Sequence, residues 1–281
     1  MQTRQGGASR TVKPVPVYDL SKRRRSAVRP SPIFLAFVAL AVVGGWLAWR
    51  DNTAGSRLAD FGVFLMVVAG WVVSLCLHEF SHAYAAYRAG DRSVEAAGYL
   101  TLNPLKYAHP VLSMVIPLFF IIQGGIGLPG GAVYLHRHAF RSRAMQSVAA
   151  AAGPLSNVLF AVVTLILVNA QFNSGTTHGR FWAGLAFFGF LQVTAAVLNL
   201  LPIPGLDGWA IIEPYLNPHT VQGAEAIKPW GMIGVIVLLQ IRQLNTAFFN
   251  FVYRIYEVFG VPRGVSDAGH QLFKFWLSPP L

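Results

Sequence analysis

The run FGVFLMVVAGWVVSLCL, Phe61 to Leu77, carries no charged residue and leads directly into His78-Glu79-Phe80-Ser81-His82. A helix over that run spans about 25 Å, close to the hydrocarbon thickness of a bilayer. It therefore predicts a transmembrane helix, with the polar pentad inside the membrane and towards one side of it. Positions i and i+4 of a helix stack on one face, so His78 and His82 present two imidazoles one turn apart. Neutral imidazoles held that way suit a divalent zinc ion, and three protein ligands leave the fourth position open for water. Glu79, next to His78, can reach that position without being a ligand, which is what a general base needs. A five-residue pattern can arise by accident, and a histidine on an apolar helix is commonly a packing residue. Here three polar side chains end a bilayer-length apolar run, where each is costly unless paired or functional. The metal-site reading is preferred.

Composition sets the class. The chain has 281 residues, 54% hydrophobic and only 12% charged, with a mean hydropathy of +0.49. Soluble domains carry about twice that charged fraction, so an integral membrane protein is expected. The net charge of +11 is uneven: Arg4, Arg10, Lys13, Lys22, Arg23, Arg24, Arg25 and Arg29 against Asp19 place +7 of it in residues 1–30. A basic arm before a transmembrane helix reads as a cytoplasmic topology signal or a contact for anionic lipid. Nucleic acid is not expected as a partner, because no recognition motif accompanies the charge. Cys76 is the only cysteine and allows no intrachain disulfide. It stands about 200° round the helix from His78, off the metal face.

Three divisions follow. Residues 1–30 read as a disordered basic cytoplasmic tail, 31–259 as a transmembrane domain with its core at about 60–215, and 260–281 as an irregular polar C-terminal tail. The fold class expected is an all-α polytopic membrane protein of about five to six transmembrane helices, with short membrane-associated β-strands between the second and third full spans. The full spans are Ile33–Trp49, Phe61–Tyr87, Met145–Ala170 and Phe181–Leu201, and a last apolar stretch begins at Trp230. Ala97–Leu102 alternates and ends in Asn103-Pro104, which reads as strand and turn, and Gly130–Leu135 reads as a second strand. Val111–Ile122 is short, contains Pro117 and fits a re-entrant or interfacial segment. If it does not cross, Arg88, Arg92, Lys106, Arg137, Arg141 and Arg143 are all cytoplasmic, as the positive-inside rule requires. The same topology brings the end of the Phe181–Leu201 span to the depth of the two histidines.

At this point the chain resembles the site-2 proteases, zinc metalloproteases that cut substrates within the membrane. The resemblance rests on three ordered motifs over residues 60–215: His78-Glu79-Phe80-Ser81-His82, Gly153-Pro154-Leu155-Ser156-Asn157, and Asn199 through Leu206-Asp207-Gly208. It is strongest to the compact bacterial members without PDZ or CBS domains, and so implies a multi-pass protein of a bacterial cell membrane; the Lys/Arg distribution puts its N-terminus on the cytoplasmic side. It further implies one Zn2+ held by His78, His82 and Asp207, a base at Glu79, and Asn199 on the scissile carbonyl or its oxyanion. Independently, a carboxylate suits the third zinc position, and the Pro/Gly-broken backbone around Asp207 is tolerated at membrane depth only beside protein or a water cavity.

The substrates implied are membrane proteins with a transmembrane segment, which must unwind before cleavage. An exposed strand edge can accept the unwound chain, so Ala97, Tyr99 and Val133, with Asn157, are candidate substrate contacts. Asn157 and Asn199 could instead simply bond neighbouring helices. Two other readings compete: a metal transporter and a catalytically inactive relative that binds membrane helices. A transporter calls for polar residues repeated along several spans, whereas the sequence holds one compact cluster. The intact Glu79 argues against an inactive relative.

Overall fold

Serine caps open three of the long helices. The computed structural model describes residues 27–107 apart from Asn52 and Ala54, residues 118–119, 121–122, and 139–277 apart from Thr176. Helix α1 (Pro32–Arg50) starts at Ser31, whose hydroxyl accepts from the Phe34 amide at 3.1 Å, with proline in the first turn where its missing N–H costs nothing. Helix α2 (Arg57–Ala89) starts at Ser56 in the same way and ends at Gly90, whose φ of +120° favours glycine. The one-turn helix α3 (Ser93–Ala96) follows. Helix α4 (Arg143–Asn173) is capped by Ser142 and carries Pro154 inside it, and helix α5 is Gly179–Asn199. Beyond it come α6 (Asp207–Ile212), α7 (Pro218–Glu225), α8 (Gly231–Leu238), α9 (Arg242–Val258) and α10 (Arg263–Phe273).

Four of these helices, α1, α2, α4 and α5, are long and apolar enough to cross a membrane. A fifth crossing exists if the pair Lys228–Leu238 and Arg242–Val258, bent by 92°, is one broken span. The chain is an all-α polytopic integral membrane protein. Helices α2 and α5 are the most buried spans, and α1 is the most lipid-facing, with Leu35, Val42 and Trp46 exposed on its outer side. Helix α2 packs against α1, α4 and α5 at once. Its Val63, Val67 and Trp71 share the core with Phe187 and Leu191 of α5. Against α1 the approach is so close that a Cβ on Gly44 would fall 2.4 Å from the Met66 nitrogen. Small residues permit such backbone contact, which drives helix association in lipid.

Two expectations change. Ala97–Leu102 is not a strand: Ala97 and Gly98 form a turn, Tyr99–Thr101 is a 3-10 helix, and no strand occurs among the described residues. Gly98 at φ +80° and Leu102 at φ +54° bracket the segment, and two left-handed residues coil the chain where a strand needs it extended. The exposed edge therefore does not exist there: Tyr99 is buried, and the Leu100 and Thr101 carbonyls accept from Arg29 and Ser31. Residues 263–273 are helical, with Val265, Gly269, Leu272 and Phe273 turned inward at helical spacing. This helix lies on α5 so closely that a Cβ on Gly269 would fall 2.0 Å from the Ala183 oxygen. Among the described residues four or five candidate spans are found, where about five to six were expected of the whole chain. The second expected strand, with Val133, and most of Val111–Ile122 lie outside the described residues.

Candidate metal centre

Helix α2 brings His78, Glu79 and His82 into the protein interior, exposed by only 5%, 2% and 5%. The partner group comes from the chain that follows α5. After Asn199 the backbone breaks through Pro202 and Pro204, and Gly205 turns at φ +97°. A Cβ on Gly208 would fall 2.3 Å from the Leu200 oxygen and 2.4 Å from the Leu201 oxygen, so only glycine lets the chain double back on the end of α5. That fold sets Asp207 at the start of α6, facing the histidine pair. The Ser147 hydroxyl of α4 bonds to the Ile211 carbonyl at 2.6 Å and ties α6 to the same neighbour as α2.

His78 Nε2 lies 3.2 Å from Asp207 Oδ2, His82 Nε2 lies 3.4 Å from Asp207 Oδ1, and the two Nε2 atoms are 3.1 Å apart. Donor atoms sharing one tetrahedral zinc ion stand about 3.3 Å from one another. The other ring nitrogens are engaged: His82 Nδ1 with the Ala149 carbonyl at 2.7 Å, and His78 Nδ1 with Asn157 Oδ1 at 2.5 Å. A carbonyl only accepts, so His82 Nδ1 must carry a proton, leaving the Nε2 lone pair of the neutral ring towards the cluster. Electron-rich atoms so close together need a cation among them. Helix α4 leaves space for it, since a Cβ on Gly153 would fall 2.2 Å from His82 Nε2 and 2.6 Å from His78 Nε2. Two imidazoles and one carboxylate match the protein donor set of a catalytic zinc site. Among the described residues, this trio is the group whose ligand atoms all lie within 4.8 Å of one another. Glu79 Oε2, buried and without a hydrogen-bond partner, is the polar atom left over beside it.

Of the residues expected from sequence, His78, His82 and Asp207 come together with Glu79 adjoining them in α2. Asn199 is buried at the last turn of α5. Asn157 has both ends of its carboxamide engaged, with His78 on one side and Gln192 Oε1 at 2.8 Å on the other. Ala97 and Tyr99 belong to the coiled segment after α3, and Val133 lies outside the described residues. Gly153, Ala149, Gln192 and Ser74 were not singled out individually from the sequence. For Gln192 a signal existed, a carboxamide in the middle of an apolar span.

The chain is 51% identical over 252 residues to a protein of Mycolicibacterium smegmatis named "Putative zinc metalloprotease Rip2", covering 90% of this chain and 96% of the relative. A Mycobacterium tuberculosis (strain ATCC 25618 / H37Rv) protein of the same name is 47% identical over 253 residues, with the same coverage of both. The Bacillus subtilis protein "Putative zinc metalloprotease YwhC" is 32% identical over 173 residues, 59% of this chain and 76% of the relative. No family model and no solved structure matches. Identity of that extent, over an apolar helix bundle whose buried histidine pair faces an aspartate, settles the kinship: the chain belongs to the site-2 protease family of zinc metalloproteases.

Proposed function

We propose that this chain is a zinc-dependent endopeptidase that hydrolyses peptide bonds in or near transmembrane segments of other membrane proteins. The observation that carries the reading is the convergence of His78, His82 and Asp207 beside the unpartnered Glu79 carboxylate, on a helix long enough to cross the bilayer. In this reading the three converging residues hold one zinc ion. When bound, that ion acts as a Lewis acid and makes water a competent nucleophile near neutral pH.

The chain's own residues do the rest. Glu79 Oε2 accepts the proton of the attacking water as its oxygen adds to the scissile carbonyl carbon, then delivers that proton to the departing nitrogen as the C–N bond breaks. Asn199 donates from its carboxamide to the developing oxyanion, a task for a preorganised dipole in a dry site. The Nδ1 contacts of His78 and His82 keep both rings oriented. The substrate is a membrane segment, locally unwound so that its backbone is accessible, in a bacterial cell membrane. Residues 1–30 form a cytoplasmic basic tail against anionic lipid, and 31–259 form the protease domain.

The test is co-expression with a panel of tagged single-span membrane proteins, comparing the native chain with Glu79→Gln. Glutamine keeps the size of the side chain but cannot accept the proton at neutral pH. Loss of a general base costs about 10²–10⁴-fold in rate. The native chain should yield cleaved fragments, while Glu79→Gln keeps its zinc and accumulates an uncut complex. Cleavage of a confirmed substrate by Glu79→Gln at the native rate would sink the mechanism.

A further inference from the structure

A chain of buried hydrogen bonds leads from the metal centre through three transmembrane helices and ends on a backbone carbonyl. His78 Nδ1 meets Asn157 Oδ1 at 2.5 Å, Asn157 Nδ2 meets Gln192 Oε1 at 2.8 Å, Gln192 Nε2 meets Ser74 Oγ at 2.9 Å, and Ser74 Oγ meets the Trp71 carbonyl at 2.8 Å. Gln192 is 0% exposed, Ser74 1% and Asn157 4%, so no bulk water competes for any of these bonds. The direction of each link is fixed from the far end. The Trp71 carbonyl only accepts, so the Ser74 hydroxyl donates to it and offers its lone pair to Gln192. Gln192 must then turn its amino group to Ser74 and its oxygen to Asn157. Asn157 in turn donates to Gln192 and presents its oxygen to His78. That oxygen can only be met by a protonated Nδ1, so the lone pair of the neutral ring falls on Nε2, the atom that faces Asp207 and His82.

We propose that Gln192 and Ser74 are positioning residues for His78: acting through Asn157, they lock the imidazole in the one tautomer that can bind metal. The inference rests on the zinc reading of the site given above. Polar side chains inside a membrane also serve as plain helix–helix ties. A tie would leave the histidine indifferent to which way the carboxamides point. A positioning relay would not, and groups that orient a metal-bound histidine typically change metal affinity about 10–100-fold when removed.

The test uses the full-length purified protein and zinc itself, titrated by competition with a chromophoric chelator. Gln192→Met fills the same volume without hydrogen bonding, and should lower zinc affinity about 10–100-fold while helix content stays unchanged. Ser74→Ala removes the acceptor for Gln192 and should weaken zinc in the same sense, whereas Ser74→Thr keeps the hydroxyl and should restore it. In metal-free protein labelled with 15N-histidine, and assigned with His78→Ala, the native His78 ring should show a protonated Nδ1. In Gln192→Met that ring should become a tautomer mixture, a change that a helix tie does not cause. Native zinc affinity and an unchanged His78 tautomer in Gln192→Met and Ser74→Ala would overturn the proposal. Should Gln192→Met fail to fold, the serine pair decides alone. A native chain that takes up no zinc would instead refute the metal reading, while the tautomer measurement still tests the relay.

Discussion

Gly153 of α4 approaches His82 of α2 so closely that a Cβ on it would lie 2.2 Å from the imidazole Nε2. The same atom would lie 2.6 Å from His78 Nε2, so the missing side chain opens the space that both ligand nitrogens face. Alanine is a better helix former than glycine by about 1 kcal/mol, and α4 itself should not suffer from the replacement. Gly153→Ala should therefore leave helix content intact and reduce bound zinc from about one ion per chain to near none. Metal analysis of the purified variant checks this. Native zinc content would mean that the imidazoles can turn away from the methyl group.

The ligands themselves should differ in their effects. His78 and His82 share one rigid helix, while Asp207 depends on the loop curled against the Leu200 and Leu201 carbonyls. Replacing either histidine by alanine leaves two donors on different elements and should abolish stable zinc binding. Asp207→Ala leaves the paired imidazoles one turn apart and should retain weak, readily chelated zinc. Full occupancy in a His78→Ala, His82→Ala double variant would remove the assignment altogether.

How far the sequence could be read depended on whether a feature was local. Apolar runs gave Phe61–Tyr87 where α2 is Arg57–Ala89, and Phe181–Leu201 where α5 is Gly179–Asn199, because hydropathy acts within one segment. The histidine pair was legible for the same reason, since i and i+4 meet within a single helix. Ala97–Leu102 misled because alternating apolar residues also arise where two left-handed residues coil a chain. The relay could not be read, because Ser74 and Gln192 stand 118 residues apart and only helix packing pairs them. Likewise, Gly153 was visible as part of a motif, but its reason is a contact with another helix.

Topology gives a separate expectation. Ser142 caps α4 just before Arg143 and follows the Arg141 that belongs to the basic cluster. Positive residues at the end of a short loop favour the cytoplasmic side. In a Cys76→Ser background, a cysteine at position 142 should resist an impermeant thiol reagent applied to intact cells and react after the membrane is opened. Ready labelling from outside would put position 142 on the outer face and mean that Val111–Ile122 crosses.

The last prediction concerns the support of the site. Gly44 of α1 and Gly62 of α2 meet backbone to backbone: a Cβ on Gly44 would fall 2.4 Å from the Met66 nitrogen, and one on Gly62 2.7 Å from the Ala48 nitrogen. Backbone atoms of two packed helices cannot yield locally, so even a methyl must push α1 and α2 apart along their crossing. Overpacking of this kind costs about 1–3 kcal/mol. The small helix-propensity gain of alanine, about 1 kcal/mol, offsets only part of it. Gly44→Ala should therefore lower the thermal unfolding midpoint in detergent, and Gly44→Leu should lower it further. Val42→Ala, at a position 66% exposed on the lipid-facing side of the same helix, should change it little. The crossing lies in the first half of α2, away from His78 and His82, so Gly44→Ala should still bind zinc once folded. Equal stability of Gly44→Ala and Val42→Ala would show that the two helices do not make this close contact in the solubilised protein. Loss of zinc from folded Gly44→Ala would show instead that α1 reaches the metal centre through α2.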